Sequence, residues 1–179
     1  MAFEMVKSFW KETKKFILWI LSIFALFFAF VVQGFYIPTN SMLPTIQLDD
    51  RVYVAKYFFT TPSRGTICVF QYPEDESRDF IQRIIAIPGD TVDIKDGIVY
   101  INGSPTDEPY VVNKGNFPLR PNGFFVKLPF TVPKNHYFTL GDNRMNSMDG
   151  RYWGFLPEQN IRGPAFFRYW PLTRMGLLR

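Results

Sequence analysis

Cysteine and histidine are almost absent from this sequence, which has one of each in 179 residues. A single Cys68 excludes an intrachain disulfide and a multi-cysteine metal site, and a single His136 argues against a zinc site built from histidines. Cys68 lies in an apolar, β-branched run at residues 66–70, which predicts a buried thiol in a strand. We therefore expect a protein that works without a metal or other cofactor.

A large excess of charge is also missing once the N-terminus is set aside. The formal net charge is +4, but four lysines stand among the first fifteen residues against two glutamates. Without that segment, the 20 basic and 16 acidic residues of the chain fall to 16 and 14. A body so nearly balanced gives no reason to expect a nucleic-acid partner.

One long hydrophobic run is present. Phe16 to Val32 is seventeen residues without a charge, which at about 1.5 Å per residue is close to the minimum for crossing a hydrocarbon core of roughly 30 Å. The run is long for a signal peptide, and no small-x-small cleavage site follows it. Being apolar all round, it favours lipid over the core of a soluble domain. We predict an uncleaved single-pass anchor at residues 16–34.

The distribution of lysines orients this anchor. Residues 1–15 carry four lysines, and no Lys or Arg follows the run until Arg51. Under the positive-inside rule, the basic segment 1–15 lies in the cytoplasm and the body from about residue 36 lies on the extracytoplasmic side. Contact with a lipid bilayer follows from the same prediction.

The body is predicted to be mainly β, without the strand–helix alternation of a parallel sheet. A charged surface connection is expected at residues 73–79, and a loop-heavy segment at residues 102–133. A compact hairpin turns at Lys95-Asp96-Gly97. Strands are predicted within residues 47–56 and at residues 66–72, 80–87, 91–94, 98–101, 136–140 and 163–170.

Two polar segments are candidates for chemistry. Residues 38–45 place Ser41 between two prolines, which discourage regular helix and predict a stiff, irregular turn beside the membrane. A hydroxyl there suits a nucleophile, although most serines in turns only bond to nearby backbone. Residues 141–154 are rich in polar groups. By composition alone they fit an Asx-rich turn with a surface pair between Asp149 and Arg151.

Three segments together resemble type I signal peptidases, the membrane-anchored serine endopeptidases that remove signal peptides from exported proteins. The segments run from Tyr36 to Thr45, from Arg83 to Asp90 and from His136 to Glu158. Asp50-Arg51-Val52 and Arg64-Gly65 also fit between them. The resemblance keeps its order and spacing from the anchor to about Trp170.

The resemblance implies a role for each matching residue. Ser41 is the nucleophile, and the Thr39 hydroxyl joins the Ser41 backbone N–H in an oxyanion hole. Ser147 orients the general base, and Arg83 stands beside that base. The supporting residues are Asp149 and Arg151, which form an ion pair, and Asp142, which we expect to structure the loop.

The resemblance also implies an architecture and a substrate. The catalytic core comprises residues 35–90 and 134–179, and a smaller inserted β lobe comprises residues 91–133. The substrates are preproteins with small side chains at positions −1 and −3 (Ala-x-Ala type), whose signal peptides are presented as extended strands. We expect a monomer in the bacterial inner (cytoplasmic) membrane.

One position departs from the family. Its general base is a lysine directly before the arginine of the middle segment, and this chain has Gln82 there. A carboxamide cannot take up the serine proton at a useful pH, so the chain is expected to be inactive or strongly impaired. His136 and Lys56 are weaker candidates for a base. Three explanations stay open: a lysine replaced deliberately, a silent paralogue that binds preproteins or regulates an active enzyme, or a relocated base.

Aromatic residues suggest a second contact with lipid. Phe58-Phe59 and Phe166-Phe167, with Tyr169-Trp170-Pro171, would form an apolar rim near the bilayer. The alternative is core packing, and strand alternation requires at least one of Phe166 and Phe167 to point inward.

Overall fold

The computed structural model describes residues 2–56, 62–112 and 127–178. Contacts divide the chain into two compact units, residues 1–33 and 34–179. The helices and strands in the described residues are α1 (Ala2–Val31), β1 (Val32–Tyr36), β2 (Arg51–Ala55), β3 (Ile67–Tyr72), β4 (Asp75–Ala86), β5 (Thr91–Lys95), β6 (Ile98–Ile101), β7 (Ser104–Pro105), β8 (Phe130–Thr131), β9 (His136–Leu140), α2 (Gly150–Trp153), β10 (Leu156–Pro157), β11 (Ile161–Trp170) and β12 (Gly176–Leu177).

The first unit is dominated by α1. Its segment Phe9–Val31 has a mean hydropathy of 2.1 over 23 residues and is long and apolar enough to cross a membrane. The helix ends at Val31, and residues 32–34, which are predicted to lie in the anchor, belong to strand β1. Residues 2–15 of the basic segment are helical as well, and Lys and Glu are good helix formers.

The second unit is built on an antiparallel sheet with the strand order β1-β2-β11-β3-β4-β9-β10. Strand β12 pairs with Phe167 and Arg168 in the C-terminal half of β11. Alternation places Val52 and Val54 of β2 in the core, whereas Ile67 to Phe70 of β3 are buried throughout. The mainly β fold with one N-terminal apolar helix is confirmed.

A smaller sheet has the order β7-β6-β5-β8 and lies within residues 91–131. Its β5–β6 hairpin turns through Asp96 and Gly97, whose φ angles are 50° and 73°. Two successive left-handed residues are typical of a type I′ turn, which matches the twist of the flanking strands. The predicted hairpin is therefore present.

The prediction of a charged connection at residues 73–79 is wrong for most of its length. Strand β4 begins at Asp75, and Asp79 pairs with Gln71 of β3. The charged residues at the start of β4 stay exposed while their backbone continues the β3–β4 ladder. Charge therefore marks an exposed strand end here, because side-chain solvation and backbone pairing are compatible.

Two other expectations concern single residues. Cys68 is fully buried, as predicted, and burial raises the pKa of its thiol. Phe166 and Trp170 of the proposed rim are 36% and 48% exposed, whereas Phe167 is half-buried and stacks near Tyr53. Lipid contact by this rim stays a prediction, and Phe58 and Phe59 lie outside the described residues.

Candidate active site

The Ser41 turn is anchored in the core by its apolar residues. Met42 and Ile46 are fully buried in the cluster formed by β2, β3 and β11, and the Ile46 N–H donates to the Met42 carbonyl at 2.9 Å. The Leu43 N–H donates to the Asn40 carbonyl at 3.3 Å. With these residues held inside, Ser41 remains half-buried at the surface of a groove.

The Ser41 hydroxyl lies beside a second hydroxyl. Thr39 Oγ1 is 3.3 Å from Ser41 Oγ. Among the described residues, no acceptor is present for the Ser41 backbone N–H. The backbone N–H of a nucleophile and a neighbouring hydroxyl are donors of the kind that stabilise the oxyanion in acyl transfer.

A loop at residues 141–149 packs directly on this turn. The Asn143 N–H donates to the Ser41 carbonyl at 2.9 Å, and Asn143 Nδ2 donates to the Asn40 carbonyl at 3.0 Å. A Cβ on Gly141 would lie 2.5 Å from the Ser41 carbonyl oxygen and 2.3 Å from Ser147 Oγ. Glycine is therefore required at position 141 by close approach, since the Ser41 carbonyl and the Ser147 side chain both lie where its Cβ would be.

Asp149 and Arg151 fix this loop from inside. Arg151 Nε and Nη2 donate to the two Asp149 carboxylate oxygens at 2.7 and 2.8 Å, and Asp149 accepts from the Gly141 N–H at 3.0 Å. Both side chains are buried, so the surface-pair interpretation is wrong. Arg151 also donates to the carbonyls of Arg144 and Ser147. The pair thus positions the segment that carries Ser147.

Ser147 has an unused hydroxyl. The residue is 8% exposed, and its Oγ is buried without a hydrogen-bond partner in the described part of the chain, as is Trp153 Nε1. Leaving a buried hydroxyl unpaired costs free energy, so such an atom calls for an explanation in terms of a missing partner.

Gln82, by contrast, has both ends of its amide satisfied. Its Nε2 donates to the Met148 carbonyl at 2.7 Å, and its Oε1 accepts from the Thr139 hydroxyl at 2.8 Å. The side chain is 1% exposed yet lines the same groove as Ser41. Gln82 therefore occupies the position beside the turn as a neutral, fixed amide.

Arg83 and Asp142 connect β4 to the turn. Arg83 Nε and Nη2 donate to the Asp142 carboxylate at 2.9 and 2.7 Å, and Nη1 donates to the Gly65 carbonyl at 2.7 Å. Asp142 Oδ2 also accepts from the Thr45 hydroxyl at 2.5 Å. Asp142 thus bridges the residue after Gln82 and the far end of the Ser41 turn.

Sequence reasoning missed Glu108 and Tyr110. Glu108 pairs with the buried Arg144 at 2.5 and 3.0 Å, and the Tyr110 ring lies 3.8 Å from the Arg83 guanidinium carbon. Burial and then the Glu108 carboxylate raise the pKa of the Tyr110 phenol. The signal in the sequence was Arg144 in the polar segment 141–154, because an arginine that is buried there needs a carboxylate partner from elsewhere in the chain.

The groove has a volume of about 670 Å³ and is lined mainly by two stretches of chain, which form its walls. One wall is residues 35–41, and the other is residues 78–82 of β4. Strand β9 pairs with β4 only from Arg83 to Ala86, so among the described strands none pairs with the groove side of residues 79–82. An exposed strand edge can accept an extended peptide as an added strand.

The weaker base candidates lie elsewhere. Neither His136 nor Lys56 is among the residues that line the Ser41 groove. His136 Nδ1 lies 2.8 Å from the Lys134 carbonyl, in a separate surface cleft. Within residues 2–56, 62–112 and 127–178, no group of three or more His, Cys, Asp or Glu side chains is arranged to hold a metal ion.

Comparisons with known proteins agree on one family. The family model described as signal peptidase, peptidase S26, matches residues 10–170. The chain is 43% identical over 158 residues to a probable signal peptidase I-1 of Synechocystis, covering 83% of this chain and 76% of that protein. It is 32% identical over 205 residues to a signal peptidase I of Streptococcus pneumoniae, covering 97% and 98%.

A solved structure is similar as well. The crystal structure of a signal peptidase I from Enterococcus faecalis superposes with a TM-score of 0.51 at 32% identity. The match covers 59% of this chain and 97% of that one.

Proposed function

Because this chain belongs to the signal peptidase family, peptidase S26, we propose that it is a membrane-anchored serine endopeptidase for removing signal peptides from exported preproteins. We further propose that Gln82 leaves this form strongly impaired. Ser41 attacks the scissile carbonyl, while its own N–H and the Thr39 hydroxyl stabilise the oxyanion. The missing component is a base that accepts the Ser41 proton.

One observation carries the assignment of position 82 to the base. The Ser147 hydroxyl is buried without a partner, and the next residue, Met148, supplies the carbonyl that accepts from Gln82. A lysine at position 82 would extend slightly further than glutamine does. As a neutral amine it would have two N–H donors, one for the Met148 carbonyl and one for the Ser147 hydroxyl, and a lone pair left for the Ser41 proton. Glutamine bonds to the Met148 carbonyl but leaves the Ser147 hydroxyl without a partner.

Burial explains how a lysine there would act as a base. Position 82 is 1% exposed in this structure, and desolvation disfavours the charged ammonium, which lowers a lysine pKa. A neutral amine can accept the Ser41 proton and return it to the leaving amine. Gln82 has no such proton equilibrium, so loss of general-base catalysis alone would slow the reaction by about 10²–10⁴.

The groove supports an extended peptide substrate. A preprotein segment would add as a strand along the unpaired edge of β4 and face the wall at residues 35–41. Buried Ile37, Val69 and Ile81 contribute apolar lining near Ser41. Shallow apolar pockets fit the small side chains of an Ala-x-Ala sequence. A substrate anchored in the same membrane would have a raised effective concentration at the site.

A second candidate function is non-catalytic binding of preproteins. The hydrogen bonds at both ends of the Gln82 amide favour it, since they hold this side chain beside the groove without a base. In that case the chain would hold a preprotein, or regulate an active paralogue, without cleaving it. The two functions make opposite predictions for a lysine variant.

Cleavage of a preprotein with an Ala-x-Ala site by the full-length chain in detergent distinguishes them. We expect little product from the parent, cleavage after the second alanine by Gln82→Lys, and none when Ser41→Ala is added. Gln159→Lys, a matched change at an exposed position, should gain nothing. A stoichiometric, uncleaved complex with both the parent and Gln82→Lys would support the binder instead. Activity that survives Ser41→Ala would remove Ser41 from the mechanism.

A further inference from the structure

The end of the nucleophile turn opposite Ser41 is held by two arginines and one aspartate. Asp50 is completely buried and accepts from Arg168 Nη1 at 3.4 Å and from Arg174 Nη1 at 3.3 Å; Arg174 Nη2 is bonded to its other oxygen. The Gln47 N–H adds a further bond at 2.9 Å. A buried carboxylate with two guanidinium partners and a backbone donor is well compensated for its lost hydration.

Arg168 extends from this cluster to the turn itself. Its Nη1 donates to the Thr45 carbonyl at 2.9 Å, and its Nε donates to the Arg174 carbonyl at 2.5 Å. Thr45 is the last residue of the turn that begins at Ser41. Arg168 lies on strand β11, and its guanidinium therefore connects the turn both to Asp50 and to the segment that carries Arg174.

The Thr45 side chain is held from the opposite direction. Its hydroxyl donates to Asp142, which is paired with Arg83, the neighbour of Gln82. Thr45 is thus bonded to the β4 side of the site through Asp142 and to the C-terminal side through Arg168. Charge-assisted bonds on both sides restrict the turn more tightly than neutral bonds would.

We propose that Arg168 is a positioning residue for the Ser41 nucleophile, which it acts on by fixing Thr45 at the end of the turn. The catalytic part of this proposal rests on the proposed function. Without Arg168 the turn keeps its bonds to Asn143 and its buried Met42 and Ile46, but the Thr45 carbonyl loses its guanidinium. A displacement of about 1 Å at a reacting group costs roughly 10²-fold in rate. A less restricted turn would therefore lower kcat even in a variant that still folds.

Hydrogen exchange of the full-length chain with Gln82 unchanged tests the structural part. In Arg168→Gln, the amides of Leu43 and Ile46 should exchange about tenfold or more faster, as expected on losing a charge-assisted bond. Asp50 keeps Arg174, so the variant should fold. Arg64→Gln is the matched control, because it removes a guanidinium that is paired with Asp90 and not bonded to Thr45 or Asp50. Exchange that is equally fast in the parent and in Arg168→Gln overturns the proposal.

Peptide cleavage in the Gln82→Lys background tests the catalytic part. Adding Arg168→Gln should lower kcat at least tenfold and leave KM within twofold, whereas Arg168→Lys should recover part of kcat. A fall in kcat no larger than that of Arg64→Gln would contradict a positioning role. If Gln82→Lys alone is inactive, the proposed function fails, and the exchange experiment still decides whether Arg168 holds the turn.

Discussion

Substitution of Gly141 by alanine tests the packing of the candidate site most severely. The new Cβ would stand 2.5 Å from the Ser41 carbonyl oxygen, 2.3 Å from Ser147 Oγ and 2.6 Å from Ser147 Cβ. Ser147 Oγ can rotate away because it has no hydrogen bond to lose. The Ser41 carbonyl belongs to the backbone of the nucleophile, and only a shift of the turn or of the loop relieves that contact.

The size of that shift sets the expected effects. Reaching an ordinary contact from 2.5 Å requires a relative movement of roughly 1 Å. Overpacking of this kind costs about 1–3 kcal/mol of stability. The same movement at a nucleophile costs about 10²-fold in rate. The Gly141 N–H bond to Asp149 would be strained by the same displacement.

Urea denaturation and cleavage kinetics of Gly141→Ala in the Gln82→Lys chain measure both effects. Gly176→Ala is the matched control, since a Cβ there meets no atom within 4 Å and its φ is not in the left-handed region. We expect a lower urea midpoint and a much lower kcat for position 141, and little change for position 176. Unchanged stability and rate in Gly141→Ala would show that the turn and the loop are not in contact as described.

Two further predictions concern ion pairs. Asp142→Asn should lower the free energy of unfolding by about 3–5 kcal/mol, because it breaks a buried ion pair with Arg83. Asp79→Asn, which breaks an exposed pair with Arg162, should lower it by about 0–1 kcal/mol. Equal urea midpoints for the two variants would contradict this prediction. Burial raises the pKa of Asp90, but hydrogen bonds led by the one from Arg64 outweigh burial and lower it. The loss of stability in Arg64→Gln should therefore be largest above about pH 4, and it should diminish as the pH falls further and Asp90 protonates in the folded state. A loss that increases on acidification would contradict the assignment of Arg64 as the partner that lowers the pKa of Asp90.

Local patterns predicted the elements that depend on neighbouring residues. The Asp96-Gly97 turn, the strands β2, β3 and β9, and the irregular Ser41 turn follow from glycine, proline and alternation within a few residues. The start of β4 did not follow, since its charged residues resemble a loop and only pairing with β3 makes them a strand.

The interior of the site depends on partners distant in sequence. Residues 41, 82, 142 and 147 were named from the resemblance, and the structure brings them to one groove and its supporting loop. The partners Glu108 and Arg168 were not predicted, because each binds a residue at least 36 positions away. Nor does the sequence reveal that Ser147 lacks a partner while Gln82 has two. That contrast requires the positions of the atoms.

The role of position 82 is tested most directly by the ratio of kcat/KM for one Ala-x-Ala peptide between Gln82→Lys and the parent chain. Restoring a general base predicts a ratio of at least about 10², abolished by adding Ser41→Ala. A ratio near one, with both proteins folded and binding the peptide equally, would contradict the assignment of the base to this position.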